Sequence, residues 1–231
     1  MRLKNLIYLP LILAGSYFGC KSTDIDTNRG STLEAIKIDK GELDKVNLDR
    51  CNTYFSRSFS PEDIERVLYI AEQDYKSVIR DIDNPYDASI YCTEFLKHGG
   101  VDIDMKIYGK SDYWASFKNI HEHKVDDCDG GAVAAASLLS DDGFLPYILY
   151  MYGKNYDHVV FLYENTRGFY GSIGINKTDV NPPILHSIDE LARKIWKDVS
   201  LEEFKSYDVI DLSLIFPDFI NTDLGQWLND G

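Results

Sequence analysis

Between Ser60 and Ile82 the apolar residues Ile64, Val67, Leu68, Ala71, Tyr75 and Val78 recur three and four apart, the period of an amphipathic helix. Ser60 supplies an N-cap, Pro61 a first helical position and Asp63 an acidic first turn. The pattern therefore predicts one continuous helix through "SPEDIERVLYIAEQDYKSVIRDI". A second helix is expected from about Pro85 to Lys97, closed by Gly99 and Gly100. Beyond Leu139 the period shortens to that of strands. "FLPYILYMYG" and "DHVVFLYEN" are short aromatic and β-branched runs, and the turn "NTRG" leads from the second into "FYGSIGIN", which forms a hairpin with it. "SIDELARKIWKDV" is a helix capped by Ser187, with Glu190 three residues on, and "SYDVIDLSLI" is a further strand. Helices first and antiparallel strands afterwards predict an α+β domain.

Where the two patterns meet lies "DDCDGGAVAAASLL", Asp126 to Leu139. A helix that begins near Cys128 gives its thiol unsatisfied backbone N–H groups and the positive end of the helix dipole, both of which favour thiolate. The alanine-rich run has a small face suited to a central helix pressed against a sheet, and Gly130 and Gly131 leave room beside the thiol. Asp126, Asp127 and Asp129 act in the opposite sense, because adjacent carboxylates raise a thiol pKa. A cationic partner is needed, and His158, at the entrance to an apolar strand, is the candidate. A Cys–His pair in hydrogen-bond reach attacks a carbonyl through the thiolate and protonates the leaving amine from the imidazolium. A third polar residue must orient the ring. On the following strand Tyr170, Ser172, Gly174 and Asn176 share one face, which makes Ser172 and Asn176 the candidates.

Composition changes the picture at the ends and in what it excludes. The chain has 231 residues, 44% hydrophobic, enough for a full core in one domain. Its formal charge is -14 and its basic residues form no stripe that could follow a phosphate backbone, so nucleic acid is excluded as a partner. Residues 1–19 combine Arg2 and Lys4 with the apolar run Leu6 to Gly15, the architecture of a signal peptide, and Cys20 directly after Gly19 resembles a lipoprotein cleavage and lipidation site. Residues 20–50 are polar and aperiodic, a flexible tether, and the folded domain is expected over 51–231. The expectation is an exported protein anchored to a membrane by lipid, or otherwise secreted or periplasmic. With Cys20 lipidated, three cysteines remain: Cys51 and Cys92 as a possible disulfide and Cys128 as the free thiol, the alternative being three reduced, buried cysteines. His121 and His123 beside Asp126, Asp127 and Cys128 offer zinc-type ligands, but not the spacing of a structural zinc motif, so surface histidines are the preferred reading. No metal or organic cofactor is called for.

The stretch from Asp112 to Asn176 resembles the core of the transglutaminase-like cysteine peptidase superfamily, in particular its bacterial proteinase-like branch. The resemblance is carried by Asp112, Tyr113 and Trp114, by "DDCDGG" as the nucleophile motif, by Ala132, Leu138, Leu139, Gly143 and Pro146, and by His158 opening "HVV". It implies a papain-like fold with N-terminal helices and a central helix bearing Cys128 packed on an antiparallel sheet. It also implies thiol-dependent acyl transfer at amide bonds of a peptide or protein substrate, with Cys128 as nucleophile and His158 as base and then acid. The family places an aspartate on the strand after the histidine, where "YGSIGIN" has none; Ser172 or Asn176 then takes that place, or the protein is an inactive relative that binds peptide or protein partners. The oxyanion would meet the Cys128 N–H and a second donor; Trp114 offers an indole N–H, although packing is its commoner role.

Overall fold

A computed structural model describes residues 59–100 and 102–225. The expected signal peptide and tether, with Cys20 and Cys51, lie outside the described residues. Helix α1 (Pro61–Ala71) is capped by Ser60, whose Oγ accepts from the Asp63 N–H at 3.1 Å. The helix expected to run on to Ile82 stops at Ala71 and restarts as α2 (Tyr75–Asp81). The interruption comes from Asp74: its carboxylate accepts from the N–H groups of Lys76 and Ser77 at 3.1 and 3.2 Å, a local bond that competes with continued helix. The Gln73 carbonyl released by the break is met by His121 Nε2 at 2.8 Å. Helix α3 (Pro85–Ile90) starts on the Asn84 cap, widens into a π-helical turn at Tyr91–Phe95 and ends at extended Leu96, short of the expected Lys97. The next residues form β1 (Lys97–His98).

Helices α4 (Ile103–Ile107) and α5 (Phe117–His123) follow, then β2 (Val125–Asp126), which pairs parallel with β1. Helix α6 (Cys128–Leu138) is buried from Asp129 to Leu138. The chain continues through β3 (Tyr147–Tyr152), β4 (Asp157–Glu164), β5 (Tyr170–Ile173), a 3₁₀ turn at Lys177–Asp179, β6 (Asn181–Leu185), α7 (Ile188–Val199), β7 (Ser206–Asp211) and α8 (Leu212–Ile215). The five longer strands form one antiparallel sheet in the order β6-β5-β4-β3-β7. Strand β6, "NPPIL", gives no strand signal in the sequence because Pro182 and Pro183 break it; as an edge strand it tolerates the missing donors. The fold is thus α+β.

Alternation along the strands divides the core. Ile148, Tyr150, Val159, Phe161 and Tyr163 face α6 and the N-terminal helices, whereas Leu149, Met151, Val160 and Leu162 face Leu191, Ala192, Ile195 and Trp196 of α7. Among the described residues no helix is long and apolar enough to cross a membrane.

Candidate active site

Asp127, in extended conformation, is the N-cap of α6, and its Oδ1 accepts from the Asp129 N–H at 3.3 Å. Cys128 is therefore the first helical residue, where the backbone N–H has no acceptor within the helix. Strand β4 pairs with β3 over 157–162, but β5 covers it only over 161–164, so the first half of β4 has an open edge. Helix α6 packs on β4, with the half-buried Cys128 at its start near the Val159 N–H, which favours the thiolate. A glycine makes the approach possible, since a Cβ on Gly131 would lie 2.7 Å from the Ile175 backbone nitrogen.

His158 is the residue before Val159, and only 1% of its surface is exposed. Its Nε2 is 2.9 Å from Oδ1 of Asp179, which is wholly buried at the end of the 3₁₀ turn. The second Asp179 oxygen accepts from the Asn176 N–H at 3.1 Å, and the Ser172 hydroxyl donates to the Asp179 carbonyl at 2.6 Å. Ser172 and Asn176, expected to orient the imidazole, thus brace Asp179 instead. The turn folds an aspartate back over the end of β5, so the acid comes from beyond the strand face on which the sequence pattern places it. The signal was present as Asn176 and Asp179 three residues apart, the spacing of a reciprocal cap.

The other ring nitrogen of His158, Nδ1, is bonded to the Tyr156 hydroxyl at 3.0 Å. His158 shares the α7 side of the sheet with Val160 and Leu162, while Cys128 approaches the open edge from the α6 side. No hydrogen bond joins the two residues, and both ring nitrogens of His158 are occupied by other groups. Burial pushes the thiol well above its ordinary pKa; the charges of Asp127 and Asp129, and more weakly Asp179, add to this, while the Val159 N–H opposes it. These surroundings favour the uncharged thiol.

Behind the thiol, Asp104, Asp127 and Asp129 bring one carboxylate oxygen each within 4.8 Å of the others. Oδ1 of Asp104 and Oδ2 of Asp129 are buried without a donor. Asp104 is pushed up to about 6, chiefly by burial, and Asp129 and Asp126 are also raised by burial. The neighbouring Asp127 raises Asp129 further. Among the described residues this is the one place where three potential ligands converge, and an all-oxygen set suits a hard cation rather than zinc.

The zinc-type pair is taken apart by the fold. His121 is buried rather than on the surface, with Nδ1 on the Tyr91 hydroxyl at 2.8 Å and Nε2 on the Gln73 carbonyl; exposed His123 bonds the Asn119 carbonyl at 2.8 Å. Cys92 is a thiol sealed in the core, its Sγ directed at the Gly131 carbonyl at 3.7 Å; Cys51, its possible disulfide partner, lies outside the described residues. Trp114 is a core residue stacked on Tyr150, with ring centroids 6.5 Å apart. Neither family models nor curated proteins give a match to this chain.

Proposed function

We propose that the protein is a thiol acyltransferase or hydrolase acting at amide bonds, built on a papain-like arrangement of helix and sheet, with Cys128 as nucleophile, His158 as base and then acid, and Asp179 as the group that holds the ring. The observation that carries this reading is the wholly buried His158–Asp179 pair at 2.9 Å, on the strand against which the helix of Cys128 packs. A carboxylate on Nε2 fixes the neutral ring with Nε2–H donated and leaves Nδ1 as the basic nitrogen. Nδ1 takes the proton from Cys128, the thiolate adds to the amide carbonyl, and the oxyanion forms at the helix N-terminus, where the Cys128 N–H is available. Imidazolium Nδ1–H then protonates the leaving amine, Asp179 stabilising the charge throughout. Water or an amine resolves the thioester. The protein's location remains the proposal made from residues 1–20, a lipid-anchored exported protein whose substrate is a peptide or protein.

A peptide-binding role without catalysis is favoured by one observation: both ring nitrogens of His158 are bonded to other groups and neither to Cys128. The two readings separate on alkylation of Cys128 by iodoacetamide at pH 7, followed by mass spectrometry of the Cys128 peptide. Catalytic pairing predicts a rate that His158→Ala lowers at least tenfold; equal rates in the two proteins would falsify it.

A further inference from the structure

His158 Nδ1 is the nitrogen that the reaction needs, and a phenol already occupies it. Because Nε2–H is donated to Asp179, the neutral ring accepts at Nδ1, and the Tyr156 hydroxyl is the donor at 3.0 Å. The Tyr156 ring lies beside the imidazole at 6.0 Å and 23°, and on its other side meets Trp196 of α7 at 6.0 Å. Tyr156 is not sealed in. It is 36% exposed and belongs to the turn between β3 and β4, where a cleft of about 430 Å³ opens between Lys154 and Lys205. The turn is tied down from outside by Asn155, whose backbone N–H and side-chain amide donate to the exposed Glu202 carboxylate at 2.9 and 3.0 Å.

We propose that Tyr156 is a positioning residue that controls the dyad: its hydroxyl holds the His158 nitrogen that Cys128 requires, and the thiol is activated when the ring swings off His158 into the adjoining cleft. This rests on the Cys128–His158 reading above. The proton balance is simple. Tyr156 keeps its phenolic proton throughout and hydrogen-bonds through it to water once displaced; the Cys128 Sγ–H proton passes to the vacated Nδ1, leaving thiolate and imidazolium. A peptide laid along the β3–β4 turn would displace the ring, so that activation accompanies substrate binding. Glu202, through Asn155, sets how firmly the turn is held.

The test uses the full chain, with iodoacetamide alkylation of Cys128 at pH 7 read on its peptide, and histidine labelled with ¹⁵N to report which His158 nitrogens carry protons. Tyr156→Phe keeps the ring and removes the hydroxyl. Its alkylation is expected to be at least tenfold faster than wild type, the gain disappearing in Tyr156→Phe/His158→Ala. The nitrogen spectrum should change from one protonated nitrogen to two. Glu202→Ala, which removes the carboxylate that Asn155 donates to, should give a gain of about threefold by loosening the turn. If His158→Ala slows alkylation but Tyr156→Phe leaves both the rate and the nitrogen spectrum unchanged, the Tyr156 proposal fails while the dyad stands. If Tyr156→Phe is faster whether or not His158 is present, the ring merely shields the thiol and the proposal fails. If His158→Ala changes nothing in either background, the dyad itself fails, and the role of Tyr156 with it.

Discussion

Asp179 and Asp129 are two buried carboxylates near one thiol, and they differ in what they touch. Asp179 has a donor on each oxygen, His158 Nε2–H and the Asn176 N–H. Asp129 has the Gly130 N–H on Oδ1 at 2.8 Å and no donor on Oδ2, with Asp127, Asp126 and Asp104 adding like charge around it. A buried carboxylate stays ionised when hydrogen bonds and an opposite charge replace its water, and otherwise takes up a proton. One carboxylate is thus built to stabilise an imidazolium. The other resists a thiolate.

The comparison breaks most visibly at Asp179. Asp179→Asn keeps the size and removes the charge, so His158 loses both its tautomer and the partner of its protonated form. Alkylation of Cys128 is expected to fall to the rate of the His158→Ala protein, and turnover of any amide substrate by about 10³ to 10⁴. Asp179→Ala goes further: it leaves the buried His158 N–H and the Asn176 N–H without acceptors, a loss of about 3 kcal/mol in urea unfolding. Full reactivity in either variant would move the role of third member elsewhere.

The acidic cluster gives a smaller effect of opposite sign. Asp104 is buried, and its Oδ2 accepts from the Tyr113 N–H at 2.6 Å while Oδ1 has no donor. With its carboxyl raised to about 6 in the folded protein, the folded state keeps a proton that the unfolded chain releases from about pH 4 upward. Stability contributed by this group is therefore lost as pH rises from about 4 to about 6, and the penalty is complete above that. Asp104→Asn retains the acceptor for Tyr113 and removes the charge. It should stabilise the protein at pH 7 by on the order of 2 to 3 kcal/mol and by nothing near pH 3. An equal gain at both values in urea unfolding would mean that packing, not charge, is responsible.

The same contrast divides what the sequence shows from what it hides. Local signals are legible: the Ser60 and Ser187 caps, the small-residue helix from Cys128 and the strands Tyr147–Tyr152 and Asp157–Glu164 all follow from short-range patterns. Asp74 was legible in type but not in effect, since an acidic residue inside a helical period can continue it or cap a new one. Asp179 was hidden because its value depends on a turn that folds back over β5, and on Gly174, where a Cβ would lie 2.6 Å from the Asp179 side chain. Tyr156 was hidden among 16 tyrosines, and burial of His121 depended on α5 packing against the break between α1 and α2. Pairings across 20 residues or more have no periodicity to betray them.

Ser172 gives the smallest effect and the finest distinction. Its hydroxyl donates to the Asp179 carbonyl at 2.6 Å and accepts from the Asn181 side-chain amide at 2.9 Å. A residue that oriented His158 directly would, when removed, impair Cys128 as severely as loss of Asp179. A residue that only braces the turn should cost stability and little chemistry. Ser172→Ala is expected to lower unfolding stability by about 1 kcal/mol, the ordinary net worth of a buried hydrogen bond. Part of that loss is offset because the Asn181 amide also reaches the Asp179 carbonyl at 3.3 Å. The rate of Cys128 alkylation at pH 7 should stay within about threefold of wild type, since a shift of a few tenths of an ångström in the turn leaves the carboxylate on Nε2. A fall to the His158→Ala rate would place Ser172 in the site and reduce Asp179 to its support.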